Sequence, residues 1–298
     1  MTEAAYAACM RMAGQHYENF PVASRLLPKA SRPHIAAIYA FARAADDFAD
    51  EGDVTDAARI SALEVWQWRL HEALAGRIES DGSDAAHVFT ALSATIRKFN
   101  LEVELFEDLL SAFCQDVLVK RYETWVELLN YCRRSASPVG RLVLRVCGYR
   151  NATLDQQSDA ICNALQLTNF WQDVAVDWKK GRVYVPRELT GASGAVESSL
   201  AAGEWTPEWE SALRDAVART RSLFAEGRPL VDAVQGRLRY ELRATWLGGS
   251  RILDKLERHR FDALHHRPTL DWRDVSRIAL ESVRWRSVSP TSPGRQGS

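Results

Sequence analysis

The sequence predicts an all-α fold in which a single domain of packed helices spans residues 1–286. Three observations predict it. Apolar residues recur at spacings of three and four along most of the chain, which is the repeat of one helix face. Alternating runs of valine, isoleucine and threonine are rare, so strands are not expected. Proline and glycine are sparse, at 10 and 16 of 298 residues, which leaves few breaks between helices.

The apolar stripes that predict the helices follow one another along the chain, and we expect about ten helices in all. The stripes comprise Ile35, Ile38, Tyr39, Ala42 and Ala45; Leu101, Leu105, Leu109 and Phe113; Leu142, Leu144, Val146 and Cys147; Ile161, Leu165 and Phe170; and Leu223, Leu230, Val234 and Leu238. Predicted breaks lie at 28–33, 76–84, 134–140, 148–153 and 181–202, the last being a long polar loop. Residues 287–298, rich in serine, glycine and proline, are expected to form a disordered tail.

Charge and cysteine usage limit the functional classes. Lysine plus arginine number 38 and aspartate plus glutamate 39, a balance that argues against a dedicated nucleic-acid binder. The five cysteines show no C-x-x-C and no metal spacing, which predicts reduced thiols in a cytoplasmic protein. No segment approaches the roughly 20 apolar residues of a spanning helix. Peripheral contact with the inner face of the membrane is compatible with the sequence, although the basic stretch 237–260 is explained equally well by a core-facing helix.

Two pairs of aspartates carry the strongest chemical signal. Asp46 and Asp50 are four residues apart, as are Asp173 and Asp177, so each pair lies on one face of a helix. Two carboxylates on one face repel each other, and burial increases that cost. A bound cation removes the repulsion, and Mg²⁺ suits such a site because it joins one or two carboxylates to substrate phosphates. The pairs therefore predict a magnesium–diphosphate site.

The simpler interpretation is that each pair is a solvated helix face, which is the usual explanation for one such motif. The context argues against it. Asp46 ends the apolar stretch 35–45, and Asp173 follows the mostly apolar stretch 165–172. Cations that could bind diphosphate also stand near both pairs: Arg43, Lys179, Lys180 and Arg182.

Other site classes lack their signatures. A carboxylate-bridged di-iron bundle needs Glu-x-x-His pairs, and none occurs among the seven histidines. His265 and His266 lie in a polar stretch, where a surface role is favoured. The sequence contains no P-loop and no G-x-G-x-x-G, so neither nucleotide-binding signature is present.

Four blocks extend the signal beyond the aspartates. They are IYAFARAADDFAD at 38–50, the stretch from YET to VG at 122–140, QLTN followed by the second pair at 166–177, and GRVYVP at 181–186. In this order they resemble the squalene and phytoene synthase family across residues 15–285. The resemblance implies an isoprenoid-synthase-type helical bundle around a central cavity, with the two aspartate motifs on facing walls and the segment 181–186 closing over the second motif.

Departures from the family pattern point to one branch. Many members carry arginine immediately before the first aspartate of the second motif, where this chain has Gln172. Together with HYENFPVAS at 16–24 and NFWQD at 169–173, this resembles the hydroxysqualene synthase branch of bacterial squalene and hopanoid biosynthesis. Members of that branch are carbon–oxygen lyases that ionise presqualene diphosphate and let water capture the rearranged cation. The implied partners are an enzyme that supplies presqualene diphosphate and a flavin-dependent reductase that consumes hydroxysqualene.

Two alternatives stay open. The first is a head-to-head condensing synthase that makes presqualene diphosphate, squalene or phytoene-type products from two prenyl diphosphates. The second is a degenerate homologue that acts only as an assembly partner, which would be expected to lack the aspartates.

The matching blocks suggest a role for each candidate residue. Metal binding is expected of Asp46, Asp50, Asp173, Asp177 and Asn169, and diphosphate binding of Arg43, Asp47, Asn169, Lys179 and Arg182. The aromatic candidates for shielding the cation are Tyr39, Phe41, Phe170, Trp171 and Tyr184, although aromatics at helical spacing are more often core residues. Tyr39 and Tyr184 are favoured because their hydroxyls stand beside charged motifs. Gln172 is the candidate for positioning water, since an amide both donates and accepts, or else it supports Asn169 or Asp173.

Overall fold

Fifteen helices build the part of the chain that the computed structural model describes, which comprises residues 2–15, 26–79 and 81–286. The first seven are α1 (Thr2–Gln15), α2 (Arg32–Asp50), α3 (Asp56–Leu74), α4 (Asp84–Phe99), α5 (Glu104–Leu118), α6 (Trp125–Ser135) and α7 (Ser137–Val146). The others are α8 (Ala152–Gln172), α9 (Val174–Lys179), α10 (Arg187–Ser193), α11 (Glu197–Ala201), α12 (Pro207–Gly227), α13 (Leu230–Ala233), α14 (Gly236–Arg258) and α15 (Trp272–Val283). The predicted all-α class is confirmed.

Side-chain caps fix where several helices begin and end. The Ser83 hydroxyl accepts a hydrogen bond from a backbone N–H at the start of α4, and Asn100 ends that helix in the left-handed conformation. Thr124 and Glu127 form a capping box at the start of α6. The Asn151 side chain accepts hydrogen bonds from two backbone N–H groups at the start of α8. These polar residues explain why the helices start where the sequence turns from polar to periodic.

Two hydrophobic clusters make up the core. The first joins α1–α5 and α7, and Phe41 lies at its centre in contact with the rings of Trp66, Phe89 and Phe106. The second joins α6, α8, α12 and α14 with the segment 183–185. Because α2 belongs to the first cluster and the end of α8 to the second, the two aspartate segments come from different halves of the core.

Several sequence-based expectations require correction. The predicted polar loop at 181–202 contains α10 and α11, which have only seven and five residues and therefore show no long apolar repeat. The Trp209 indole N–H donates to the Val196 carbonyl and the Ser199 hydroxyl, which fixes α11 against α12. Such short helices also explain why fifteen helices are found where about ten were expected. The break at 134–140 shrinks to Ala136 between α6 and α7.

Two other expectations concern the ends of the chain and the membrane. The block at 16–24 and the predicted tail at 287–298 lie outside the described residues, so both remain predictions. The basic stretch 237–260 corresponds closely to α14, whose buried residues include Leu238, Leu253 and Leu256, so this helix faces the core. Among the described residues, none of the helices is both long enough and apolar enough to cross a bilayer.

The close approach of α12 to α8 yields a stability prediction. A Cβ on Gly227 would lie 2.4 Å from the Ile161 side chain and 2.7 Å from the backbone oxygen of Gln157. We expect Gly227→Ala to lower the free energy of unfolding by about 1–3 kcal/mol, measured by urea titration with circular dichroism. Gly191→Ala in α10 is the matched control, because no heavy atom lies within 4 Å of its added Cβ. The control should be neutral or stabilising by up to about 1 kcal/mol, and equal losses in both variants would contradict this packing.

Candidate active site

The first carboxylate group stands on the last turn of α2. Ala45 and Ala49 are buried, which turns the carboxylates between them away from the core. Arg43 reaches this group from one turn earlier, with its guanidinium 3.3 Å from Asp46 and 2.6 Å from Asp47. The carboxyl end of a helix carries partial negative charge, so acidic side chains are unfavourable there without a counter-charge. The predicted placement of Asp46 and Asp47 beside Arg43 is therefore observed.

The second pair is not carried by one continuous helix, contrary to expectation. The α8 helix ends at Gln172, Asp173 forms the junction, and α9 contains Asp177. The Asp177 N–H still donates to the Asp173 carbonyl at 2.8 Å, so the four-residue relation survives the break. Asn169 is exposed one turn before Asp173. A local helical turn thus keeps the two carboxylates together.

One charge cluster joins the two motifs. The Arg182 guanidinium donates to both carboxylate oxygens of Asp50, at 2.6 and 3.2 Å. The Lys180 ammonium lies 3.1 Å from the same carboxylate. Backbone hydrogen bonding fixes this segment, because the Val183 N–H donates to the Lys120 carbonyl at 3.1 Å. Asp50 therefore meets the residues that follow Asp177, as facing motifs require.

The phosphate-binding role expected of Lys179 stays a prediction. Lys179 and Lys180 are both exposed at the end of α9, and Lys180 contacts Asp50. Lys180 lies just past the end of the helix, so its direction does not follow from helical spacing. Lys180 therefore joins Lys179 as a candidate phosphate-binding lysine.

Burial and like charge raise the pKa of two aspartates of the motifs. Burial raises the pKa of Asp46 to about 6, and the Asp50 carboxylate adds to this rise. Burial also raises the pKa of Asp177 to about 7, with Asp173 as the next cause. Asp50 behaves in the opposite way: burial acts to raise its pKa, but Arg182 and Lys180 outweigh burial and lower it to about 2. The site holds more negative charge than its own cations neutralise.

Asp116 on α5 is a site residue that sequence reasoning missed. Its Oδ2 accepts a hydrogen bond from the Tyr131 hydroxyl at 2.8 Å, while its Oδ1 is buried and has no hydrogen-bond partner among the described residues. Burial raises the pKa of Asp116 to about 7, and Asp50 and Asp46 contribute to the rise. The only signal in the sequence is one acid, three residues after Phe113, on an otherwise apolar stripe.

Arg267 and Pro268, between α14 and α15, were also missed. The Arg267 guanidinium donates to the Asp173 carboxylate at 2.5 Å. The Gln172 amide donates to the Pro268 carbonyl at 2.6 Å. The amide of Gln172 is thus engaged with a backbone group, which favours a supporting role near Asp173. No sequence spacing relates these residues, because 94 positions separate Arg267 from Asp173.

The aromatic candidates divide between the site and the core. Tyr184 stacks face to face on Phe170 with ring centroids 3.7 Å apart, and burial, followed by the charge of Asp116, raises its pKa well above the usual value. Tyr39 is half-buried, and burial raises its pKa beside Arg43. Phe41 and Trp171 are fully buried in the two core clusters, so they serve packing. Phe170 and Tyr184 are buried in the second cluster as well, but the charges of Asp116, Arg182 and Asp177 act on Tyr184.

The carboxylates fit a divalent cation shared with a ligand. In the described ranges, no three acidic, histidine or cysteine side chains converge on one point as a ready-made metal cage. Mg²⁺ usually takes only one or two carboxylates and completes its shell with water and substrate phosphate. Asp46 and Asp177, whose raised pKa values show that nearby cations do not offset burial and like charge, supply such oxygens. Each motif can therefore bind one side of a metal–diphosphate complex.

Comparison with known proteins gives consistent matches. The family model for squalene/phytoene synthase matches residues 13–274. Hydroxysqualene synthases of Rhodopseudomonas palustris and Sinorhizobium fredii are 37% and 36% identical, each over 80% of both chains. A phytoene synthase of Arthrospira platensis is 28% identical over 94% of this chain and 93% of its own.

Solved structures share the fold. The squalene synthase HpnC of Alicyclobacillus acidocaldarius superposes with a TM-score of 0.80 and 37% identity, covering 87% of this chain and 95% of that one. A dehydrosqualene synthase superposes with a TM-score of 0.83 over 95% of this chain and 97% of that one, and its 21% identity bears on the fold alone. The expected isoprenoid-synthase-type helical fold is confirmed.

Opposite pKa shifts on one helix yield a stability prediction. The folded-state pKa of Asp46 lies above its ordinary 3.8, so ionisation destabilises the fold, fully above pH 6 and progressively less towards pH 3.8. In metal-free buffer at pH 8, we expect Asp46→Asn to raise Tm by roughly 1–2 °C, a modest gain because the side chain is partly exposed. The gain should shrink as the pH falls from 6 to 4.

Asp50→Asn, one turn later, is the matched comparison. The pKa of Asp50 is lowered, so its stabilising contribution is complete above pH 3.8 and is lost as the pH falls towards 2. This variant should cost about 1–3 kcal/mol at pH 8, because it leaves Arg182 without its carboxylate. Thermal denaturation followed by circular dichroism checks both variants. Shifts of the same sign at pH 8 would contradict the charge distribution described here.

Proposed function

The chain belongs to the squalene/phytoene synthase family, and we propose that it is a hydroxysqualene synthase of squalene and hopanoid biosynthesis. The proposed reaction breaks the carbon–oxygen bond of presqualene diphosphate, so diphosphate leaves with the electron pair. The carbocation rearranges, water adds to it, and loss of one proton gives hydroxysqualene. The observation that carries the proposal is the junction of the two aspartate motifs at Asp50, Lys180 and Arg182.

The proposed metal ligands are the side chains whose ionised form a bound cation would stabilise most. Bound Mg²⁺ would supply Lewis acidity that stabilises charge on the leaving diphosphate. Its ligands would be drawn from Asp46, Asp50, Asp173, Asp177 and Asn169. Asp46 and Asp177 would give up their raised pKa values on binding, since a nearby positive charge favours the ionised carboxylate.

Cations that now rest on carboxylates would bind the diphosphate. Arg43 contacts Asp46 and Asp47, Arg182 contacts Asp50, and Arg267 contacts Asp173. Each guanidinium has a planar set of donors that matches phosphate oxygens as well as carboxylate oxygens. When the carboxylates turn to the metal, these cations can turn to the diphosphate. Lys180 can also turn to the diphosphate, because it contacts the same carboxylate as Arg182.

Aromatic rings would stabilise the carbocation, and one acid would accept the proton released after water adds to it. Tyr184 and Phe170 offer stacked rings beside the charged cluster, and an aromatic face stabilises a cation by about 0.5–2 kcal/mol. Asp116 is suited to accept the proton that the captured water loses, since its Oδ1 has no partner in the part of the chain that the structure describes and Tyr131 fixes its Oδ2. Gln172 would act by holding the Pro268 segment against Asp173.

A second candidate is the head-to-head condensation of two prenyl diphosphates. It is favoured by the match to a phytoene synthase over 94% of the chain, at 28% identity. The higher identity to hydroxysqualene synthases places it second. The proposed pathway partners are an enzyme that supplies presqualene diphosphate and a flavin-dependent reductase. The proposed location is the cytoplasm, with peripheral contact at the inner face of the membrane.

Substrate choice tests the proposal. We expect Mg²⁺-dependent conversion of presqualene diphosphate to hydroxysqualene, and little or no product from farnesyl diphosphate alone, in a mass-spectrometric assay. Asp173→Asn should reduce turnover by at least about 100-fold, because it removes a carboxylate from the proposed ionisation centre. Asp215→Asn, an exposed substitution on α12, is the control and should keep the wild-type rate. Formation of presqualene diphosphate or phytoene from prenyl diphosphates would instead establish the second candidate.

A further inference from the structure

The α15 helix is attached to the protein by only a narrow side. Its buried residues are Asp274, Ile278 and Ser282, which are spaced four apart. The Asp274 carboxylate forms an ion pair with Lys255, and its Oδ1 lies 3.6 Å from Arg251. These contacts hold one side of α15 against α14, so most of the helix surface faces outward.

Large apolar residues occupy the outward side. Trp272, Val275 and Val283 are 72%, 58% and 71% exposed. With the exposed Ala279 they follow spacings of three, four and four, so they form one continuous stripe. Leu280, at 49% exposure, widens it. Single exposed apolar residues are ordinary, but a continuous stripe that includes a tryptophan indicates an interaction surface.

Arginines border this stripe. Arg273, Arg277 and Arg284 are exposed and lie along the side of the stripe next to Leu280. Throughout the described residues, no carboxylate lies within ion-pair distance of these three guanidinium groups. Glu281, the remaining acid of the helix, pairs with Arg251. The outward face of α15 is therefore apolar and positively charged.

We propose that the outward face of α15 docks on a bilayer that contains anionic lipids. The apolar stripe would enter the interface, where tryptophan is favoured. The three arginines would meet the lipid phosphates, each contributing to binding near an anionic surface. A second copy of the chain fits less well, because a symmetric contact through this face would bring two arginine rows together.

The docking face is connected to the candidate active site. Arg267 binds Asp173, and Pro268 accepts the Gln172 amide, four residues before α15 begins at Trp272. Docking would hold the second aspartate motif near the membrane surface. The benefit of this position for catalysis rests on the proposed function, since an isoprenoid diphosphate substrate would partition into the bilayer. The docking itself rests on the exposed face.

Vesicle co-sedimentation of the full chain tests the proposal. We expect binding to phosphatidylcholine vesicles that contain phosphatidylglycerol, and weaker binding to phosphatidylcholine alone or at high salt. The double variant Trp272→Ser with Val283→Ser should bind at least about tenfold more weakly. The triple variant Arg273→Gln, Arg277→Gln and Arg284→Gln should bind at least about tenfold more weakly and lose its preference for the anionic vesicles.

The control uses a second exposed tryptophan–valine pair. Val65 and Trp68 on α3 are 52% and 57% exposed, and the variant with serine at both positions should bind like wild type. Circular dichroism should show unchanged helix content in every variant. The proposal is overturned if wild type does not bind anionic vesicles, or if the α3 variant loses as much binding as the α15 variant. It is also overturned if the α15 substitutions only dissociate an oligomer in analytical ultracentrifugation.

A detergent assay separates this proposal from the proposed reaction. With presqualene diphosphate presented in detergent, the α15 variants should turn over like wild type, because no substituted residue touches the aspartate motifs. Vesicle binding without turnover by wild type would contradict the proposed reaction and leave the docking face supported. Turnover without vesicle binding would support the proposed reaction and contradict the docking face.

Discussion

The ion pair between Asp50 and Arg182 joins the two halves of the site. Asp50 ends α2 in one core cluster, and Arg182 belongs to the segment that packs on the other. A charge-assisted bond of this kind contributes about 1.5–3 kcal/mol, so the pair stabilises the fold while aligning the motifs. Asp46 meets the Arg43 guanidinium through one longer contact of 3.3 Å, and its pKa is raised. The Asp50–Arg182 pair therefore aligns the two motifs before a cation and its diphosphate bind.

The same electrostatics explain why each cation of the site rests on a carboxylate. Arg43, Arg182 and Arg267 contact aspartates of one motif or the other. A metal that binds the carboxylates would release these cations towards the leaving group, so ligand binding rearranges existing pairs and needs little new structure. Asp116 stands apart from this exchange, because its partner is the Tyr131 hydroxyl. An acid of that kind is suited to proton transfer.

The sequence predicted what depends on local spacing. The helical class and the placement of Asp46 beside Arg43 follow from helix periodicity, and the facing of the two motifs follows from the ordered blocks. Asp116 and Arg267 were missed because they reach the site only through tertiary packing, which leaves no spacing in the chain. The contact of Lys180 with Asp50 was missed because side-chain direction past a helix end is not fixed by the helical repeat. The outward face of α15 was missed because an amphipathic helix is normally assumed to bury its apolar side.

Binding of diphosphate by the aspartates through Mg²⁺ can be measured by isothermal titration calorimetry with inorganic diphosphate, with and without Mg²⁺. We expect Mg²⁺ to raise the affinity for diphosphate at least about tenfold, and diphosphate to raise the affinity for Mg²⁺ by the same factor. If Mg²⁺ leaves the affinity for diphosphate unchanged, the arginines and lysines alone are the binding site and the aspartates are not metal ligands.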